Sequence, residues 1–63
     1  MNYFAEITHR AFRAIVPVDV PCSEVRDCTD ARIEFYQNNG VLCQVIRNHV
    51  SGTVQYYVKD INA

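Results

Sequence analysis

Val41-Leu42-Cys43-Gln44-Val45-Ile46-Arg47-Asn48 and Thr53-Val54-Gln55-Tyr56-Tyr57-Val58-Lys59-Asp60-Ile61 are two β-rich runs separated by His49-Val50-Ser51-Gly52. Branched and aromatic side chains at alternate positions fit a pleated, half-buried surface. A short link ending in Gly between two such runs predicts an antiparallel hairpin, with Gly52 supplying a positive φ in the turn or an adjoining bulge. Val41, Cys43 and Val45 then share one face of the first strand, and Val54, Tyr56 and Val58 share one face of the second. If that face is the buried one, Leu42, Ile46 and Tyr57 point the other way. A strand facing water on one side normally carries polar residues there, so these three predict an apolar patch suited to an interface.

Upstream of the hairpin, the spacing predicts a helix over 28–38. Cys28, Ala31 and Phe35 fall on one stripe, and Asp27 can accept hydrogen bonds from the free amides of the first turn. A start at Ser23 would bring Val25 onto the same face. Asn38-Asn39-Gly40 reads as the left-handed end of this helix. Asp27, Asp30 and Glu34 would line one helical face as an acidic row able to meet a basic groove. Such acids also stabilise a helix start without any partner, and Arg32 would screen part of the row.

The first twenty residues favour strands. Tyr3 to Thr8 and Phe12 to Val20 are rich in β-formers, and Val16, Val18 and Val20 alternate. Pro17 has no N–H, which puts that strand at an edge or makes it irregular. A short helix across 3–13 competes, because Phe4, Ile7 and Ala11 also fall at helical spacing. The expectation for residues 1–63 is therefore one α+β domain. Its antiparallel sheet has about four strands, in the order strand, strand, helix, strand, strand, with the helix packed on one face.

Sixty-three residues leave no room for a second domain, and a chain this short buries only roughly 60% of its unfolded surface. The 49% hydrophobic and 21% charged fractions are those of a globular protein, and two glycines and two prolines leave most of the chain free to enter regular structure. No run approaches the roughly 20 apolar residues of a membrane span. The opening Met-Asn-Tyr-Phe-Ala-Glu lacks a secretory signal pattern, and Cys22, Cys28 and Cys43 are odd in number. These features predict reduced thiols, a cytoplasmic location and no membrane partner. Net charge is −1, with the acids gathered in the middle: Asp19, Glu24, Asp27, Asp30 and Glu34 stand against Arg26 and Arg32.

The chemistry-bearing residues are few. Cysteine gaps of five and fourteen intervening residues, with His9 and His49 remote from any other ligand, do not match the paired spacing of structural zinc sites, so no metal is expected. No sequence around any Cys marks a nucleophile with its base, so neither catalysis nor a cofactor is expected. Arg10, Arg13, Arg47 and Lys59 could converge with Tyr56 or Tyr57 on nucleic acid. A slightly acidic chain without a concentrated basic patch makes that the lesser reading.

Phe4-Ala5-Glu6-Ile7, Ile15-Val16-Pro17-Val18-Asp19-Val20 and Asp27-Cys28-Thr29-Asp30-Ala31-Arg32-Ile33, followed by the hairpin, resemble a loose class of small phage- or mobile-element-encoded inhibitors. The class includes short anti-CRISPR proteins and the RNA-polymerase inhibitor of T-odd coliphages. The resemblance implies a non-enzymatic protein that sterically blocks a host protein or ribonucleoprotein machine such as a CRISPR effector. Asp30, Glu34, Leu42, Ile46, Arg47 and Tyr57 are the candidate partner-binding residues. A nucleic-acid-binding regulator using the sheet face, and a homodimeric module pairing that face with itself, are the alternatives.

Overall fold

The computed structural model describes residues 3–61. Its elements run β1 (Ala5–Ile7), α1 (His9–Ile15), β2 (Glu24–Asp27), β3 (Ala31–Asn38), β4 (Val41–Asn48) and β5 (Val54–Asp60). All strand pairings are antiparallel, and the five strands lie in the order β1-β5-β4-β3-β2. The architecture is α+β with one helix on one face, as expected. The strand count is five rather than four, and the helix follows the first strand rather than the second.

The expected hairpin of β4 and β5 is present, with Cys43 opposite Val58 and Val45 opposite Tyr56. Its connection is held by Asn48: the backbone N–H donates to Thr53 O at 2.9 Å, and Oδ1 accepts from Val50 N and Ser51 N, both at 2.9 Å. Gly52 takes a φ of 75° there.

The helix expected over 28–38 is instead a tight turn followed by β3. Asn39 and Gly40, at φ values of 52° and 76°, form a two-residue turn between β3 and β4, with Asn38 opposite Val41. Positive φ at both central positions matches the right-handed twist of a hairpin, and Asn-Gly is the favoured pair for it. Asn and Gly tolerate the same left-handed region at a helix end, so the residues alone admitted both readings. The alternation decides between them. Ile33 and Phe35 lie on one face, Glu34 and Tyr36 on the other, and the three- and seven-residue spacing of Cys28, Ala31 and Phe35 is coincidental. Asp27, Asp30 and Glu34 therefore do not form a helical row.

The strand expected over 12–20 is likewise absent. Thr8 Oγ1 accepts from Ala11 N at 3.1 Å and caps α1, which ends where Val16 N donates to Phe12 O at 2.8 Å. His9 to Ile15 contains neither Gly nor Pro, and Pro17 stops the helix because it cannot continue the backbone ladder. Val20 N then donates to Pro17 O in a turn. Val16 is fully buried and Val18 is 84% exposed, so the two valines do not share a face. The strand expected over Tyr3 to Thr8 is present as β1, and the competing helix across 3–13 holds only from His9 onward.

Phe12, Ile15 and Val16 fall at i, i+3 and i+4 and form the inner stripe of α1. The Phe12 ring meets Tyr36 edge-on at 5.6 Å and lies 5.0 Å from Tyr56. Cys43 and Val45 complete the fully buried core, with Ile7, Val20, Val41 and Val58 around it. Cys43 thus occupies the core position expected of it, whereas Cys28 is exposed. Among the described residues no helix is long and apolar enough to cross a membrane.

Candidate protein-binding face

The pairing registers place every strand residue on one of two faces. Glu6, Tyr57, Gln44, Phe35 and Glu24 are consecutive cross-strand partners and form a row across the whole sheet on the side away from α1. A second row runs Gln55, Ile46, Ile33 and Arg26, and a third runs Lys59, Leu42 and Gln37. Leu42, Ile46 and Tyr57 therefore do share the face opposite the helix. Ile33 and Phe35 join them, and all five are partly exposed.

The centre of this face is apolar and amide-bearing, and its charges stand toward the two sides. Arg26 Nε lies 2.6 Å from Glu24 Oε2, and the Arg26 guanidinium sits 5.5 Å from the Phe35 ring centroid. Lys59 Nζ lies 5.8 Å from the ring of Phe4, just beyond β1. Ser23, Glu24, Arg26, Phe35, Gln37 and Leu42 line an open groove of about 300 Å³ at the β2 side. Apolar centre and polar rim are the ordinary anatomy of a protein–protein interface.

Glu34 and Arg47 lie on the helix side and belong to a different construction. Arg32 and Arg47 are direct cross-strand partners, a like-charge pair that Glu34 bridges. Glu34 is 8% exposed. Its Oε2 accepts from Arg32 Nε at 3.1 Å, and its Oε1 accepts from Arg47 Nε and from the Tyr36 hydroxyl, both at 3.3 Å. Burial, followed by the Glu34 charge, raises the Tyr36 hydroxyl above its ordinary pKa. Burial alone does the same for the Cys43 thiol. Two half-exposed guanidiniums satisfy the buried carboxylate, so this cluster joins β3 to β4. Asp30 sits apart in the β2–β3 turn, where its backbone oxygen accepts from His49 N at 2.8 Å.

The six candidate residues thus divide into three on the open face, two in the ion cluster and one in a turn. Phe35 and Ile33 reach this face because residues 31–38 are a strand, which a helical spacing of the segment conceals. The period-two alternation of Ile33 and Phe35, ending at Asn39-Gly40, is the signal that places them.

A second concavity, about 570 Å³ and wide open, lies where β1 ends and α1 begins. Glu6, Thr8, His9, Gln55 and Tyr56 line it, and the His9 ring is 5.1 Å from that of Tyr56.

No protein family model matches the chain, no curated protein matches its sequence, and no solved structure matches its fold.

Proposed function

We propose that this chain is a non-enzymatic binding module and that the open face of its sheet is the protein-binding surface. The observation that carries the reading is the set of Ile33, Phe35, Leu42, Ile46 and Tyr57 gathered around Gln44 on the side away from α1. Water leaves such a patch at a gain of about 25 cal/mol per Å² of apolar surface. Tyr57 suits the task because its ring packs while its hydroxyl stays hydrated.

The narrower role is steric inhibition of a host nucleoprotein machine such as a CRISPR effector. It is supported by the resemblance of the sequence pattern to small phage inhibitors. Residues 28–38, which entered that pattern as a helix, are turn and strand here. The setting proposed is the cytoplasm, in keeping with three unpaired cysteines, two of them exposed.

Nucleic-acid binding by the same face is the second reading, favoured by the Arg26–Phe35 and Lys59–Phe4 pairs. Stacking rings beside cations are what a single-stranded site uses. Charge weighs against it. Of six basic residues, only Arg26 and Lys59 lie on this face, and Glu6 and Glu24 balance them.

The test is capture on a tagged chain expressed beside an untagged copy in bacterial lysate. One protein species is expected at stoichiometric yield, retained by Asp30→Asn and lost in Leu42→Asp and Tyr57→Asp. Retention by both face variants would overturn the assignment. Nucleic acid that elutes with salt and is lost in Lys59→Ala would transfer it to the second reading.

A further inference from the structure

Resting on that face as a protein-binding surface, we infer that its occupant is a second copy of this chain, packed sheet to sheet about a two-fold axis through Gln44. Three observations converge on a self-complementary partner.

The first is charge. Glu6 and Glu24 balance Arg26 and Lys59, so the face is neutral, and two copies approach without net repulsion. A strongly basic or strongly acidic partner gains no such match.

The second is the residue at the centre. Gln44 occupies the middle of the middle strand, with Tyr57 and Phe35 as its cross-strand partners and Leu42 and Ile46 on either side along β4. In a two-fold interface the residue at the axis meets its own copy. A carboxamide both donates and accepts, so two of them can bond reciprocally, which two like charges cannot do. Among the described residues the Gln44 side chain has no hydrogen-bond partner, so its amide is available. A polar amide amid apolar contacts also fixes register, as a buried Asn does in a coiled coil.

The third is size. Strands of three, seven, eight, eight and four residues, at about 4.8 Å spacing and about 3.3 Å rise, cover roughly 475 Å² within a molecule of 33 × 26 × 21 Å. Side-chain relief adds to this projection and brings it toward the roughly 600 Å² per partner of a small interface.

Sedimentation velocity of the full chain over about 1–500 µM tests the inference, with a concentration-dependent dimer expected. Gln44→Glu and Gln44→Lys should each weaken association at least about tenfold, because like charges then meet at the axis. Their equimolar mixture should recover the dimer, and circular dichroism should give the native spectrum for both, since Gln44 is a surface position on this face. A mixture that stays monomeric, or a native chain monomeric throughout, overturns the second copy. If that monomer binds another protein or an oligonucleotide and loses it in Leu42→Asp, the face remains a binding surface with a different occupant. A dimer indifferent to Gln44→Glu, Gln44→Lys and Leu42→Asp overturns both the occupant and the face.

Discussion

Glu34 illustrates how one carboxylate can hold two strands. Arg32 and Arg47 stand opposite each other on β3 and β4, an arrangement that repels unless an anion lies between them. Glu34 supplies that anion and takes a third hydrogen bond from Tyr36. Glu34→Gln keeps the shape and removes the charge, which leaves Arg47 without its anion while Arg32 keeps Asp27 Oδ2 at 3.8 Å. It should cost about 1–2 kcal/mol, less than a fully buried pair because both guanidiniums reach solvent. For a domain of this size that lowers the midpoint of a thermal melt by roughly 4–8 °C per kcal/mol. Adding Arg47→Gln should recover part of the loss, since it removes the like-charge contact. A double variant no more stable than Glu34→Gln would show that the carboxylate acts by packing alone. Glu34 and Arg47 were legible as charged candidates in the sequence, but their pairing was not, because it depends on β3 lying beside β4.

At the scale of elements, turns decide where strands begin and end. Asn39-Gly40 and Gly52 carry the positive φ values of the two hairpin connections in the last third of the chain. The reading of the Gly52 turn stands, because alternating runs flank it on both sides. Asn39-Gly40 is a hairpin turn rather than the expected helix end; Cys28, Ala31 and Phe35 happen to match a helical stripe, and nothing local ranks the alternation of Ile33 and Phe35 above it. A Cβ added at Gly52 meets nothing within 4 Å, so the cost of Gly52→Ala is backbone conformation alone. It should come to about 1 kcal/mol, read as a lower midpoint in urea with an unchanged slope. The edge strands follow another rule. β1 has three residues, and β2 has four, all exposed and three of them charged, which discourages further pairing at the edges. That leaves the open face as the surface proposed for association.

For the whole molecule, a seven-residue helix covers only part of a five-stranded sheet. Among the described residues four are fully buried hydrophobics, Phe12, Val16, Cys43 and Val45, and all lie on the helix side. A second apolar layer on the other side remains available to a partner, and small domains commonly gain stability by oligomerising. If the partner is another copy, stability must depend on concentration. The thermal midpoint should rise by roughly 3–5 °C for each tenfold increase in protein above the dissociation constant. Gln44→Glu should flatten that dependence. A native midpoint constant over two decades of concentration would speak for a monomer.

The sequence by itself determined the β4–β5 hairpin, its turn glycine and the division of its side chains between two faces. Alternation is a local property, and a turn residue acts within a few positions of itself. Those signals were enough to put Leu42, Ile46 and Tyr57 together before any fold was known. Only the tertiary structure decided that residues 31–38 are a strand and 9–15 a helix. Their local preferences were divided, and pairing along the length of β4 together with burial of Phe12 and Val16 settled them. The same long-range pairing brought Ile33 and Phe35 onto the open face and enclosed Glu34 between two arginines. Contacts between residues distant in the chain cannot be read from either segment alone.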